Sequence, residues 1–314
     1  MTLEIPSALV TGGAGFIGSH LVYALVSSGV RVRVLDNFST GSRSKLEPVI
    51  TKLELHEGDI RDAETCRRAC ENISVVFHLA AYISAPGSVA DPALADSINI
   101  SGTLNMLIAA RDAGASRFVL SSSSAVYGDT PVIPTHEGVT PRPLSPYGVE
   151  KLYAENMCYV FYRLFELKTI ALRYFNVYGP GQNPDSEYAA VIPKFISRTL
   201  AGKAPIIYGD GAQTRDFLYV KDVVLANLLA ATNEVSFGEA YNIAGGKAIS
   251  MNELSHTIIR NMASDLKAEH APPRKGDILH STADITKAAS VLGYQPKYDL
   301  TTGLMETIRS FQMK

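Results

Sequence analysis

Ala8-Leu9-Val10-Thr11-Gly12-Gly13-Ala14-Gly15-Phe16-Ile17-Gly18 is the stretch from which the fold of this 314-residue chain is read. A short apolar run stops abruptly in glycines, and a helical pattern follows with Leu21, Val22, Leu25 and Val26 as its apolar face. Val30 to Leu35 then reads as a second strand, closed by Asp36. Strand, glycine turn, helix, strand and acid is the order in which a dinucleotide is held. Gly13, Gly15 and Gly18 fill the three glycine places, which serve the tight turn, the approach of backbone N–H groups to a diphosphate, and helix-to-strand packing. Unpaired N–H groups and the helix dipole draw that diphosphate to the helix N-terminus. Asp36 follows the glycines by about 20 residues, where a carboxylate accepts both hydroxyls of the adenine ribose. Its charge repels a 2′-phosphate. Asn37-Phe38-Ser39-Thr40-Gly41 supplies no arginine before Arg43, so NAD is expected over NADP.

Downstream, strand and helix patterns alternate. Lys52 to Asp59 reads as a strand ending in an acid, Asp62 to Glu71 as a helix, and Val75 to Ala81 as a buried strand. One long helix is expected from Leu94 to Ala113, a strand over Arg117 to Leu120 running into Ser121-Ser122-Ser123-Ser124, a helix over Tyr147 to Leu167, and a strand over Thr169 to Arg173. This alternation predicts an α/β fold with a doubly wound, parallel Rossmann-type sheet. Ligands on such sheets bind beyond the carboxyl ends of the strands. Asp36, Asp59, Ala80, Ser123 and Asn176 are therefore expected to share one cleft. After Asn176 the segments shorten and gain Gly and Pro, which predicts a smaller C-terminal α/β substrate lobe. The expected division is residues 1–175 for the dinucleotide-binding domain and 176–216 with 244–314 for the second lobe. Segments near 217–243, namely Phe217 to Val220 and Ala240 to Ile243, are expected to return to the main sheet.

Composition narrows the function classes. A hydrophobic content of 46% supports a large core, and a formal net charge of −2 gives no general pull toward nucleic acid or anionic membrane. No apolar run reaches the roughly 20 residues that span a bilayer. The N-terminal residues lack the pattern of a signal peptide, which points to the cytoplasm. Three cysteines are read as reduced structural thiols, Cys66 and Cys70 on one helical face and Cys158 on another helix. Seven histidines show no metal-ligand spacing, so no metal is expected.

Tyr147-Gly148-Val149-Glu150-Lys151 sets a phenol and an ammonium four residues apart, one turn along the same helix face. A free tyrosine has a pKa of about 10 and is a poor base at neutral pH. A nearby ammonium and a positive nicotinamide ring favour its phenolate. Ser123, at the end of the preceding strand, is placed to bond the same substrate oxygen. At this spacing Tyr and Lys on their own often only decorate a helix; the dinucleotide pattern upstream gives the pair a chemical purpose.

Gly12-x-x-Gly15-x-x-Gly18, Asp59-Ile60, Asn99-x-x-Gly102-Thr103, Ser121-Ser122-Ser123, Tyr147-x-x-x-Lys151 and Arg173-Tyr174-Phe175-Asn176-Val177-Tyr178-Gly179-Pro180 together resemble the extended short-chain dehydrogenase/reductase superfamily over essentially the whole chain. Within it the sequence is most similar to the UDP-hexose 4-epimerases, including those acting on N-acetylated sugars. The resemblance implies Tyr147 as base, Lys151 as the residue that holds the nicotinamide ribose and tunes Tyr147, and Ser123 as an aid to proton transfer. For the cofactor it implies Gly12, Gly15, Phe16, Ile17, Gly18, Asp36, Asn37, Ser39, Gly41, Asp59, Ile60, Leu79, Ala80, Ala81, Asn99, Ser121 and Tyr174, beside Tyr147 and Lys151. Ala80-Ala81-Tyr82 departs from the pattern, since many relatives carry a Lys or His there.

For a UDP-sugar the same resemblance implies Ser123, Tyr147, Asn176, Val191, Tyr208, Gln213, Arg215, Arg274, Asp277 and Ser281. Arg215 and Arg274 are matched to the diphosphate, which suits the bidentate, charge-assisted bonds of guanidinium. Ser281 falls where the family screens the sugar 2-substituent, and a small residue there leaves room for an acetamido group. Relatives that dehydrate or decarboxylate need a further carboxylate after the catalytic Ser or Thr, but Ser123-Ser124-Ala125-Val126-Tyr127-Gly128 contains none. A 4-keto intermediate is then left to take its hydride back, which gives 4-epimerisation of UDP-glucose or UDP-N-acetylglucosamine without net oxidation. The alternatives are a UDP-uronate 4-epimerase and an NAD-binding protein that turns nothing over. Surplus apolar and aromatic residues on the 94–113 and 147–167 helices, among them Tyr153, Tyr159, Tyr162 and Phe165, suggest a homodimer through a four-helix contact of the kind relatives use.

Overall fold

β1 (Ser7–Thr11) lies near the middle of a seven-stranded parallel sheet, paired with β2 (Arg31–Asp36) on one side and β4 (Val75–His78) on the other. β3 (Leu53–Glu57) forms one edge beside β2, while β5 (Arg117–Ser123) and β6 (Lys168–Tyr174) extend the sheet beyond β4 to Glu239–Ile243 at the far edge. The computed structural model describes residues 4–184, 190–234, 237–273 and 278–313. The strands at the centre are mainly apolar, β1 and β4 being buried at every position, because helices cover both faces. On one face α1 (Phe16–Ser27) packs with the Val220–Thr232 helix, and its Leu21, Val22 and Leu25 join Val10, Val34 and Val119 in one core. On the other, α2 (Ala63–Cys70) and the Thr103–Asp112 and Pro146–Phe165 helices enclose Cys66, Cys70, Leu107, Phe118, Cys158 and Phe161. All three cysteines are buried and free. Burial raises each thiol, Cys66 and Cys70 to about 12, so none is poised as a nucleophile.

Two expectations need correction. The 94–113 segment is not one regular helix. Pro92–Asp96, a wider π-type stretch at Ser97–Gly102 and Thr103–Asp112 follow one another, and the wide turn lets Asn99 face inward. Of the two returning segments, Glu239–Ile243 joins the main sheet beside β6. Leu218–Tyr219 instead pairs with Val177–Tyr178 outside it, and Val220 already begins a helix. Thr214–Asp216 lies between Ala248–Ser250 and His280–Ser281 in a separate three-stranded sheet, which sets Ser281 opposite Arg215. No helix among the described residues is long and apolar enough to cross a membrane.

The Pro146–Phe165 helix positions most of the polar groups discussed below. Ser145 caps it, its hydroxyl accepting from the Gly148 N–H at 3.2 Å, and Pro146 fits the first turn, where no N–H partner is needed. A Cβ at position 148 would lie 2.7 Å from the Ala125 carbonyl oxygen. Glycine there lets the helix start settle directly on the segment that leaves β5.

Candidate active site

The glycine turn between β1 and α1 leaves no room for side chains. Gly12 has φ of +67°, and a Cβ on it would meet the Ala80 N–H at 2.9 Å. A Cβ on Gly18 would lie 2.1 Å from the Gly12 carbonyl oxygen. The backbone therefore requires glycine first at position 12; Gly13, the expected first place, has negative φ and packs instead against the Val34 side chain. Asp36, 7% exposed, accepts from the Ala14 N–H at 2.8 Å and the Phe38 N–H at 2.8 Å, so the acid also fixes the turn it serves. Arg43 does not fold back toward it: the guanidinium pairs with Glu57 and stacks over Phe38 at 4.6 Å. Asn37 donates to Asp59 at 2.9 Å, and Arg61 holds the Asp59 carboxyl down to about 2, ionised at any working pH. Ser39 bonds back to Asn37, Ile60 is buried, and a Cβ on Gly41 would press on the Ala14 carbonyl. This closed glycine turn, with Asp36 at the next strand end, fits a dinucleotide diphosphate and its adenosine ribose.

Beyond β4 the chain is held by Asn99, which the sequence singled out, and by His78, which it did not. Thr11 accepts the N–H groups of Leu79 and Ala80, each at 3.1 Å, and also contacts His78 Nδ1 at 2.9 Å. The other His78 nitrogen lies 3.0 Å from the Thr103 hydroxyl. Ala81 is half-buried just beyond them. Asn99 grips both backbone groups of Tyr82, at 2.8 and 2.9 Å, and donates to Glu150 at 2.6 Å. This buried acid, one residue before Lys151, was missed because helix spacing alone does not show which face Asn99 takes.

Tyr147, Lys151 and Ser123 come together where β5 ends. The Lys151 ammonium donates to the Ser121 carbonyl at 2.8 Å and lies 5.8 Å from the Tyr147 ring centre. The Ser123 hydroxyl stands by the Tyr147 phenol and favours its ionised form. Burial lowers Lys151 to about 8, so it still carries charge at neutral pH. Burial also raises the Tyr147 phenol, with the Ser123 hydroxyl opposing and the Glu150 charge adding to the rise. The expected easing of ionisation is thus not a property of the protein groups alone, because desolvation of a phenolate outweighs them. Tyr174, opposite Ser123 across β5 and β6, is buried and bonded to Asn227 and Ser121.

Two residues past Tyr174, Asn176 opens a cavity of about 300 Å³ shared with Val191, Tyr208, Gln213, Arg215 and Phe217. Asn176, Val191 and three residues of the 208–217 loop thus line one space, which Phe195 and Met251 also line from apolar helix faces. Gln213 donates to the Tyr208 carbonyl and Asn176 to the Asp216 carbonyl. Ser281 is half-buried on the strand paired with Arg215. Arg274 and Asp277 lie outside the described residues.

A parallel doubly wound sheet, a tight glycine turn and a half-buried Tyr147 and Ser123 beside the buried Lys151 define a dinucleotide-dependent enzyme. Residues 8–244 match the NAD dependent epimerase/dehydratase family. The chain belongs to that family, within the extended short-chain dehydrogenase/reductase superfamily, and its cofactor is NAD. A putative UDP-glucose 4-epimerase of Methanocaldococcus jannaschii is 40% identical over 302 residues, 96% of each chain. A UDP-N-acetylglucosamine 4-epimerase from Methanobrevibacter ruminantium, solved in complex with UDP-N-acetylmuramic acid, superposes with a TM-score of 0.95 at 40% identity and 99% coverage of both chains. The UDP-glucose 4-epimerase of Thermotoga maritima, solved with UDP-glucose, gives 0.92 at 40% identity, covering 98% of this chain and 99% of that one.

His78 carries a pH signature. Burial, with the Lys151 charge adding, lowers it to about 3, whereas the unfolded chain protonates it near the ordinary value of 6.5. The unfolded state then binds more protons between those values, so stability falls as pH drops below about 6.5. His78→Gln is expected to show a shallower loss of its urea midpoint between about pH 7 and pH 5 than the wild type; parallel curves would contradict a neutral buried imidazole.

Proposed function

We propose that the chain is a UDP-sugar 4-epimerase that inverts C4 of UDP-hexoses, both plain and N-acetylated, by way of a 4-keto sugar. The observation that carries this reading is the Tyr147 phenol with the Ser123 hydroxyl and an anchored Lys151 around it, at a strand end where residues 124–128 contain no acid. NAD, when bound, supplies the hydride acceptor and a positive ring that favours the phenolate. Tyr147 takes the proton of the C4 hydroxyl, Ser123 bonds the same oxygen, and Lys151 holds positive charge beside the phenol. Dehydration or decarboxylation needs another free acid or base. Glu150, the buried carboxylate on the same helix turn, is bonded to Asn99 and does not serve. A keto sugar held here has only reduction left, and reduction from the opposite ring face inverts C4.

Glycine spacing, Asp36 and Asp59 support the assignment of Gly12, Gly15, Gly18 and their neighbours to NAD. The shared cavity supports Asn176, Val191, Tyr208, Gln213 and Arg215 as the UDP-sugar residues, with Arg215 on the diphosphate. Incubating the protein with UDP-glucose or UDP-N-acetylglucosamine, without an electron acceptor, is expected to yield the galacto epimers. Tyr147→Phe should lower turnover by about 10²-fold or more with NAD still bound. Stoichiometric NADH release with an oxidised sugar would overturn the assignment.

Ser281 supports the wider substrate range. Ser281→Tyr is expected to cut kcat/KM for UDP-N-acetylglucosamine roughly tenfold more than for UDP-glucose, a difference of about 1.4 kcal/mol. Equal losses on both would refute the gate.

Self-association through the two helices is supported by exposed apolar side chains: Ile108, Tyr159, Leu164 and Phe165 are 37%, 52%, 70% and 44% exposed. Tyr162 packs instead on Phe237 within the chain. Sedimentation at micromolar concentration is expected to give a dimer, and a monomer would exclude this contact.

A further inference from the structure

Glu150 occupies an unusual place for an acid. It is 3% exposed, sits next to Lys151 and lies one helical turn after Tyr147. Its Oε2 accepts from Asn99 at 2.6 Å, and the same amide nitrogen bonds the Tyr82 carbonyl, so Glu150 closes a chain that runs from the end of β4 to the helix carrying Tyr147 and Lys151. Burying a carboxylate is costly unless a nearby group makes use of its charge or its bonds. One amide N–H does not need a charged acceptor, since an uncharged carbonyl of the same shape meets it equally well.

We propose that Glu150 is a positioning residue whose buried negative charge, held in place by Asn99, sets how readily the Tyr147 phenol ionises. The inference rests on Tyr147 acting as the base in the reading above. The groups facing the pair are Asp96 from the Pro92–Asp96 helix, Asn99 from the π-type stretch, Lys151 and Glu155 from their own helix, and His78 from the end of β4. His78 is neutral, and Glu155 is committed to Arg173 at 2.6 Å and to Ser122. Glu150 is the acid whose charge acts on Tyr147, in the direction opposite to an ammonium; burial raises its own carboxyl and the Asn99 bond acts to hold it down. Lys151 favours the phenolate, whereas burial and the Glu150 charge keep the hydroxyl protonated.

Glu150→Gln keeps an oxygen for Asn99 and removes the charge; Glu150→Ser removes both. The test compares kcat/KM against pH for UDP-glucose in wild type and both variants. It adds an ultraviolet difference titration of the phenol in each NAD-loaded protein against its Tyr147→Phe counterpart. The acid limb and the phenol titration should both move to lower pH by about half a unit or more in each variant. A role confined to bonding Asn99 leaves the profile of Glu150→Gln on that of the wild type, and that result would overturn the proposal. Should Glu150→Gln not fold, an unshifted phenol in Glu150→Ser does the same. Undiminished turnover in Tyr147→Phe refutes the base assignment instead, while the phenol titration still decides the role of Glu150.

Discussion

The hydrogen bond from the Lys151 ammonium to the Ser121 carbonyl, 2.8 Å long, joins the helix that carries the phenol to the strand that carries Ser123. It works because Gly148 lets the helix start lie against the Ala125 carbonyl, where any Cβ would collide. Lys151 is 6% exposed, and burial of an ammonium is unfavourable unless its donors are met. The Ser121 carbonyl meets one of them, and the charge stands beside a phenol in a low-dielectric setting, where a fixed charge acts more strongly than in water. Geometry and electrostatics thus come from the same contact.

A second constraint lies at the other end of the cleft. Asp36 bonds two backbone N–H groups of the segments around it, so the acid proposed to hold the adenosine ribose also holds the glycine turn in shape. Asp59 is kept ionised by Arg61, and Arg43 is committed to Glu57. The surroundings of Asp36 therefore stay negative, consistent with NAD as cofactor.

The sheet and the cofactor turn were legible because their physics is local. Glycine spacing, apolar strands and a terminal acid are contiguous in sequence, and the Tyr147/Lys151 pair lies within one helical turn. What escaped depended on contacts between distant segments. The wide turn at Ser97–Gly102 turns Asn99 inward toward Glu150, 51 positions away, and helical periodicity cannot show it. The pairing of Leu218–Tyr219 with Val177–Tyr178 is a choice between two nearby edges that two residues do not encode. The rise of the Tyr147 phenol follows from burial, which counts of neighbouring charges ignore. Asn176, Val191, Tyr208, Gln213 and Arg215 came from family likeness rather than spacing, and their convergence on one cavity is the structural reason they belong together.

The most direct measurement is a crystal structure of the Tyr147→Phe protein with NAD and UDP-glucose, compared with the wild type bound to NAD and UDP. The account predicts the ring of residue 147 against the C4 edge of the sugar, with the wild-type phenol oxygen within about 3 Å of the C4 hydroxyl position. A sugar seated with C4 turned from Tyr147, or a phenol well beyond hydrogen-bond reach of it, would contradict the account.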